Sequence, residues 1–166
     1  YLNQVGGQDE LVFDGASFVL NADRSLALQM PMFEEGLALT EWRRDSGGWR
    51  MQPGDIARLP EAEEETWKAC VLGLRDYVLK NRFPGVVLGL SGGIDSAVVA
   101  AMAVDALGPE RVHCVMMPYR TSSPASQGDA EAVIADLGCS GELVEITGMV
   151  DGYFGPADLK AQVDME

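Results

Sequence analysis

The alternation of apolar and polar positions divides the chain into a first part with short apolar runs and a second part with longer periodic segments. In the first part, clusters of Gly, Asp and Asn separate the apolar runs, a pattern typical of strands joined by turns. It predicts strands at residues 1–5, 11–13, 16–20, 25–30 and 37–42. Residues 6–9 and 21–24 are predicted turns, the second within a hairpin, and residues 46–48 and 52–55 a linker.

From Pro60 the pattern becomes helical. Lys80 and Arg82 lie near the predicted end, and glutamates occupy positions 61, 63, 64 and 65 near its start, so both charge groups suit the helix dipole. Apolar side chains recur at helical spacing and predict one buried face, formed by Trp67, Val71, Leu74 and Val78.

Strands and helices then alternate. The pattern predicts strands at residues 86–90, 111–117 and 142–146, with helices at about 95–107 and 124–137. This alternation implies an α/β fold with a parallel, doubly wound sheet and right-handed crossovers. Ligands bind such sheets beyond the carboxyl ends of the strands, where the loop at Ser91 and the segment 118–126 are expected to lie.

The loop after the first of these strands has the features of an anion site. Residues 86–96 read Val-Val-Leu-Gly-Leu-Ser-Gly-Gly-Ile-Asp-Ser, an apolar strand followed by two glycines and a helix start. The unpaired N–H groups of a helix start bind phosphate without a basic side chain, and Gly92 and Gly93 allow a close approach. No Lys follows, so this is not a Walker A loop. The alternative is a tight turn with Ser91 or Asp95 as a helix cap.

Asp95 is a candidate Mg²⁺ ligand, because a hard cation reconciles a carboxylate with a phosphate at the same helix end. Its alternative role is that of an acid that interacts only with the helix dipole. Arg120 follows the second strand and is expected to reach a phosphate or ribose, unless it is a solvated loop arginine. Nearby, Ser122, Ser123 and Ser126 are candidates for phosphate contacts or helix capping.

Composition limits the partners. A net charge of −14 argues against broad electrostatic binding of nucleic acid, and suggests that ATP arrives with Mg²⁺.

The three cysteines, Cys70, Cys114 and Cys139, lie outside metal-binding spacings and are interpreted as reduced, packed, cytoplasmic residues. His113, the single histidine, is interpreted as a packed side chain in a buried strand. No apolar run is long enough for a membrane helix. Tyr1 begins the chain within a strand-like run, which suggests an excised piece.

Several segments resemble known families. The Ser-Gly-Gly-Ile-Asp-Ser loop at 91–96 resembles that of the ATP pyrophosphatases, or PP-loop enzymes. Within that group the chain resembles the glutamine-dependent NAD synthetases. The similar segments are Leu-Pro-Glu-Ala-Glu-Glu-Glu at 59–65, Leu-Gly-Leu-Arg-Asp-Tyr-Val at 72–78, Gly-Leu-Ser-Gly-Gly-Ile-Asp-Ser at 89–96 and Ala-Val-Asp-Ala-Leu-Gly at 103–108. Met-Pro-Tyr-Arg-Thr-Ser-Ser at 117–123, followed by Asp129 and Ala130, resembles that family's second nucleotide segment. Residues 3–17 are similar to the closing part of that family's nitrilase-like glutaminase domain.

The resemblance implies an adenine nucleotide alpha hydrolase-like PP-loop fold for residues 57–166, preceded by the β-rich end of a nitrilase-like α/β sandwich at 1–56. It implies ATP-dependent amidation of deamido-NAD to NAD through an adenylated intermediate, with release of pyrophosphate and AMP and with ammonia from glutamine. By position, the ATP segment is Gly89, Leu90, Ser91, Gly92, Gly93, Ile94, Asp95 and Ser96. Adenosine or substrate contacts are expected at Met117, Arg120, Ser122 and Ser123, and a homo-oligomer is expected for the full-length protein.

The chain also departs from that family. That family's Glu-Lys-Cys glutaminase triad is expected upstream of Tyr1, and that family's synthetase domain is expected to continue past Glu166. We therefore expect this chain alone neither to hydrolyse glutamine nor to complete NAD synthesis. The alternatives are another PP-loop enzyme such as GMP synthetase, asparagine synthetase or a tRNA-thiolating enzyme, a nucleotide-binding fragment that is inactive on its own, and a structural domain without a ligand.

Overall fold

A computed structural model describes residues 1–154 of the chain. The chain divides into two compact units, Tyr1–Arg82 and Phe83–Glu166. No helix among the described residues has the length and apolar character needed to cross a membrane.

Three antiparallel hairpins and one long helix form the first unit. The strand pairs are β1 (Val5–Gln8) with β2 (Leu11–Asp14), β3 (Phe18–Leu20) with β4 (Leu26–Gln29), and β5 (Trp42–Asp45) with β6 (Gly48–Met51). Helix α1 spans Ala62–Lys80. The hairpin predicted around residues 21–24 is confirmed by the pairing of β3 with β4.

The start of the first strand is a correction to the sequence prediction. The strand begins at Val5 rather than Tyr1, and Gly6 and Gly7 belong to β1 instead of a turn. The reason is the close approach of α1, because a Cβ at Gly7 would lie 3.2 Å from the Gly73 Cα. Glycine in a strand interior often marks such an approach of another backbone.

Two further predictions in this unit were wrong. Of the strand expected at 37–42, only Trp42 belongs to a strand, and Leu37 and Leu39 are fully exposed. Residues 46–48, expected in a linker, instead belong to a hairpin in which Ser46 and Gly47 connect β5 to β6 and Gly48 begins β6. The Gly47 N–H donates to the Asp45 Oδ1 atom over 2.7 Å, and Gly48 has a φ of +111°, so the glycines form a hairpin turn.

Helix α1 packs against β1 and β2. Val78 is buried as predicted and Trp67, Val71 and Leu74 are half-buried, while Leu72, outside the predicted stripe, is buried. A polar contact, which the apolar pattern did not indicate, joins the helix to β1. The Gly7 N–H donates to the Asp76 Oδ2 atom over 2.8 Å, and the Lys80 ammonium donates to the Gly7 carbonyl over 2.6 Å.

The second unit contains a three-stranded parallel sheet in the order β7–β8–β9, which confirms the α/β class. Its elements are β7 (Val86–Gly89), α2 (Ile94–Leu107), a 3-10 turn (Pro109–Arg111), β8 (Val112–Met116), α3 (Pro124–Leu137), β9 (Ser140–Leu143) and α4 (Thr147–Tyr153). Because the strands follow one another in the sheet, right-handed crossovers place α2 and α3 on one face, and these helices contact each other.

The third strand is displaced from its prediction. It spans Ser140–Leu143 rather than 142–146, because the pairing with β8 begins directly after the left-handed Gly138 that ends α3. Beyond it, the N–H groups of Val144 and Ile146 donate to the carbonyls of Met116 and Pro118, and α4 follows. Residues 144–146 therefore lie beside the segment after β8 without forming a strand.

The covered face of the sheet carries Val112, Cys114 and Met116, which are buried against the small side chains of α2 and α3. His113 points to the other face and is half-exposed rather than packed in the core, with Nδ1 at 2.9 Å from the Ser140 Oγ atom.

The packed role expected of the cysteines holds for two of them. Cys114 and Cys139 are buried with their Sγ atoms 3.8 Å apart, and burial raises the pKa of the Cys114 thiol to about 11. Cys70 is exposed, so the packing interpretation was wrong for that residue.

Candidate functional site

The loop between β7 and α2 is held at the carboxyl edge of the sheet. The buried Leu90 donates its N–H to the Val115 carbonyl over 3.0 Å and so continues the pairing of the strands. Ser96 closes the loop from the helix side, since its Oγ atom donates to the Gly93 carbonyl over 2.9 Å and accepts the Ser91 N–H over 3.3 Å. The side chain of Ser96 therefore fixes the shape of the loop.

The first turn of α2 presents free N–H groups. Its N-cap is Gly93, which has no side chain to accept a hydrogen bond. The alternative of a Ser91 cap is not seen, because the Ser91 Oγ atom accepts the N–H of Gly93 itself over 3.3 Å. The amides of Ile94, Asp95 and Ser96 lack intrahelical acceptors, and the positive end of the helix dipole lies at the same place. This geometry suits an anionic ligand.

Gly92 is required by the geometry of this loop. Its φ is +80°, and a Cβ placed on it would lie 2.1 Å from the Ser126 carbonyl oxygen in the first turn of α3. The loop backbone therefore passes α3 at a distance that only glycine permits.

A cavity of about 260 Å³ lies beside the loop. Residues from both predicted segments line it, together with one face of α3: Leu90, Ser91, Met116, Met117, Pro118, Ser122, Ser123, Pro124, Ser126, Gln127 and Ala130. The lining combines apolar side chains with hydroxyl groups, as binding pockets for small molecules commonly do. The fold thus places the two predicted segments around one cavity.

The serines of the second segment make local hydrogen bonds at the cavity wall. The Ser122 Oγ atom accepts the Tyr119 N–H over 3.0 Å, and the Tyr119 carbonyl accepts the Ser122 N–H over 2.8 Å, which closes a turn. Ser123 caps α3, since its Oγ atom accepts the Ser126 N–H over 3.2 Å. Capping, the alternative role considered for these serines, is therefore present at Ser123.

Arg120 is not among the residues that line the cavity, and its expected contact with a phosphate or ribose stays a prediction. Its guanidinium donates to the Asp151 carboxylate, and its Nε donates to the Tyr119 hydroxyl over 2.9 Å. Arg120 is an exposed residue in the turn after β8, so the alternative of a solvated loop arginine stays open. The hydrogen bond with Tyr119 and the pairing with Asp151 raise the pKa of Arg120 above its ordinary value.

Asp95 is an exposed carboxylate in the first turn of α2. Among residues 1–154, no three His, Cys, Asp or Glu side chains converge in a way that would hold a metal ion. Mg²⁺ is commonly bound by one or two carboxylates together with substrate phosphates, rather than by an all-protein cage. One carboxylate beside the uncapped start of α2 fits that mode of binding.

Sequence reasoning missed Met116 and Gln127 as part of the cavity wall, to which Ala130 also belongs. Gln127 and Ala130 lie on α3. Together with Ser123 and Ser126 they recur at helical spacing, so they share one face of α3. This periodicity is visible in the sequence, but the sequence alone does not show which face of α3 borders the cavity.

Comparison with known proteins identifies the family of the chain. The chain matches the model of the NAD synthase family over residues 66–165. A glutamine-dependent NAD(+) synthetase of Rhodobacter capsulatus is 53% identical, over 89% of this chain and 27% of the relative. One of Acinetobacter baylyi is 43% identical, over 92% of this chain and 28% of the relative. The chain therefore spans less than a third of the length of these curated relatives.

Among solved structures, the glutamine-dependent NAD+ synthetase of Acinetobacter baumannii in complex with ADP is 45% identical, with a TM-score of 0.87. The match covers 93% of this chain and 29% of that one. An NH3-dependent NAD synthetase of Campylobacter jejuni is 34% identical over 56% of this chain, with a TM-score of 0.52.

The family model begins inside α1, whereas α1 belongs to the same compact unit as β1 and β2. The domain boundary expected between residues 56 and 57 therefore stays a prediction. The family itself is established by a match that covers more than half of the residues. This chain belongs to the NAD synthase family.

Proposed function

We propose that the protein containing this chain is a ligase that amidates deamido-NAD to NAD, through an adenylated carboxylate and with ammonia from glutamine. The observation that carries the proposal is the uncapped start of α2, which lies beside a cavity at the carboxyl edge of a parallel sheet. The identity to glutamine-dependent NAD(+) synthetases supports the choice of substrates.

In this proposal the N–H groups of the first turn of α2 bind the polyphosphate of ATP, and the cavity binds the adenosine. The apolar side chains of Met116, Met117 and Ala130 offer surfaces for a base, and the hydroxyls of Ser91 and Ser126 offer partners for ribose or phosphate. The structure of a relative in complex with ADP supports the binding of an adenine nucleotide. The fixed N–H groups would stabilise the charge that develops on the departing pyrophosphate.

Asp95 would hold Mg²⁺ together with the phosphates of ATP. When bound there, the cation neutralises phosphate charge that the acidic protein would otherwise repel. The remaining steps require no covalent nucleophile from this chain. Its residues orient the α-phosphate toward the substrate carboxylate and retain pyrophosphate on the helix dipole.

Exchange of labelled pyrophosphate into ATP by the natural full-length protein tests the substrate. We expect exchange that depends on deamido-NAD and on Mg²⁺, because reversal of adenylation requires the bound acid. XMP and aspartate, the substrates of other PP-loop enzymes, should give none. Exchange with XMP in place of deamido-NAD would contradict the proposal.

For the isolated 166 residues we propose nucleotide binding without the complete reaction, because the chain covers 27% of the first relative. Glutamine hydrolysis is assigned to residues outside this chain. The purified chain should bind Mg-ATP and show no glutaminase turnover. Measurable glutamate release by the chain alone would contradict this assignment. We further place the protein in the cytoplasm, in line with its free cysteines. A homo-oligomer is proposed for the full-length protein.

A further inference from the structure

We propose that Asp151 is a positioning residue for the nucleotide cavity, because it fixes the tip of the turn that forms the outer wall. The inference rests on the proposed ATP site and adds a residue from outside its lining. Asp151 lies in α4, 31 residues from its partner Arg120, and is absent from the residues that line the cavity.

The contacts form a closed network. The Tyr119 hydroxyl donates to the Asp151 Oδ1 atom over 3.1 Å and accepts the Nε–H of Arg120 over 2.9 Å. The Arg120 guanidinium donates to the same Oδ1 atom and lies 5.1 Å from the centre of the Tyr119 ring. One carboxylate oxygen therefore accepts hydrogen bonds from both residues at the tip of the turn.

The base of the turn is held by other means. The N–H groups of Val144 and Ile146 donate to the carbonyls of Met116 and Pro118 over 2.8 and 3.1 Å. These bonds anchor the end of the turn that follows β8. Because they join backbone atoms, they do not depend on any side chain. The tip at Tyr119 and Arg120 is joined to the rest of the unit through Asp151. Met117, Pro118, Ser122 and Ser123 flank that tip and line the cavity.

The ion pair with Asp151 also determines where the Arg120 guanidinium lies. Its guanidinium is 43% exposed and Asp151 is 34% exposed, so the pair contributes little to overall stability. The contacts engage the Nε and one Nη atom of Arg120. Asp151 thus holds the guanidinium beside Tyr119, where it supports the wall.

Steady-state kinetics of the full-length protein test the proposal. For Asp151→Ala we expect the KM for ATP to rise about three- to tenfold, with kcat within about twofold of the wild type. Asp151→Asn keeps one acceptor oxygen and should fall between the two. The melting temperature should stay within about 2 °C, because a half-exposed pair adds little to stability. Asp136→Ala, an exposed aspartate of α3, is the matched control and should change neither constant.

Tyr119→Phe provides a second, milder variant, which removes only the hydroxyl. It should raise the KM for ATP by less than Asp151→Ala, and the double variant should resemble Asp151→Ala alone, because both changes release the same tip. A lower kcat or melting temperature with an unchanged KM would overturn the proposal, since it would show a merely structural role.

The two proposals fail in different ways. If the wild type is saturated by ATP but Asp151→Ala matches Asp136→Ala, the positioning role is wrong and the proposed function stands. If the wild type neither binds ATP nor uses it, the proposed function fails and the positioning role fails with it.

Discussion

At the scale of single residues, the candidate site depends on positions whose chemistry is local. Gly92, Gly93 and Asp95 could be identified from the sequence, because a phosphate loop needs glycine and a helix start in a fixed order. The contact of Arg120 with Asp151 could not be predicted, since Asp151 lies in a helix that the apolar pattern did not predict. Long-range pairing of side chains leaves no signal in local spacing.

Replacement of Gly92 tests the close approach of the loop to α3. Gly92→Ala introduces a Cβ that would lie 2.1 Å from the Ser126 carbonyl oxygen, at a φ of +80°. The loop or the helix must move, so we expect ATP affinity to fall by at least about tenfold. Titration of the full-length protein with Mg-ATP measures this change.

Gly128→Ala is the matched control, because a Cβ at this position of α3 meets nothing within 4 Å. Alanine in a helix interior should stabilise the protein by about 0.5–1 kcal/mol and leave ATP affinity unchanged. Equal affinities for the two variants would show that the loop tolerates a side chain at position 92.

At the scale of elements, periodicity located the helices well and the strands less well. Helix α3 begins at Pro124 and ends at Leu137 as predicted, because a Ser-Pro start and a Gly stop mark its limits. Helix α1 was found, but its contact with β1 depends on Gly73 and Asp76 rather than on the apolar stripe. A hydrophobic pattern does not predict helix packing that depends on polar contacts.

Asp76 links α1 to β1 in a pH-dependent way. Although burial of the carboxyl acts in the opposite direction, the Gly7 N–H and Lys80 hold the pKa of Asp76 below its ordinary value of 3.8. Its stabilisation is therefore present above about pH 4 and is lost as the pH falls through the folded-state pKa.

Asp76→Asn should consequently lower stability by about 1–2 kcal/mol at pH 7 and by less below pH 4. The measurement is the thermal midpoint of the protein between pH 3 and 7, together with hydrogen exchange at Gly7. Glu63→Gln in the exposed first turn of α1 controls for loss of a helix carboxylate. A difference between wild type and Asp76→Asn that stays constant down to pH 3 would refute this account.

The alkylation rates of the cysteines measure how tightly β8 is packed. Cys114 is fully buried and its pKa is raised to about 11 by desolvation, whereas Cys70 is exposed on α1. Because the thiolate is the reacting species, an alkylating reagent at pH 8 should modify Cys70 at least about tenfold faster than Cys114. Mass spectrometry of timed samples follows both residues, and Cys70→Ser identifies the rapid phase. Rapid labelling of Cys114 would show that the sheet opens readily.

At the scale of the whole molecule, the order of strands and helices was sufficient to predict the parallel sheet. The covering of that sheet was not predictable from the chain. Val87 on the second face is 71% exposed within the described residues, whereas parallel sheets are normally covered on both faces. The boundaries in the first unit also failed at residues 1–5 and 37–42, because pairing across hairpins rather than local composition decides them.

The central claim is that free amides at the start of α2 bind the polyphosphate of Mg-ATP. A crystal structure of the full-length protein with a non-hydrolysable ATP analogue and Mg²⁺ measures this directly. The account predicts phosphate oxygens at about 2.7–3.2 Å from the N–H groups of Ile94, Asp95 or Ser96, with the Asp95 carboxylate facing the cation. A nucleotide bound elsewhere, with no phosphate at this helix end, would contradict it.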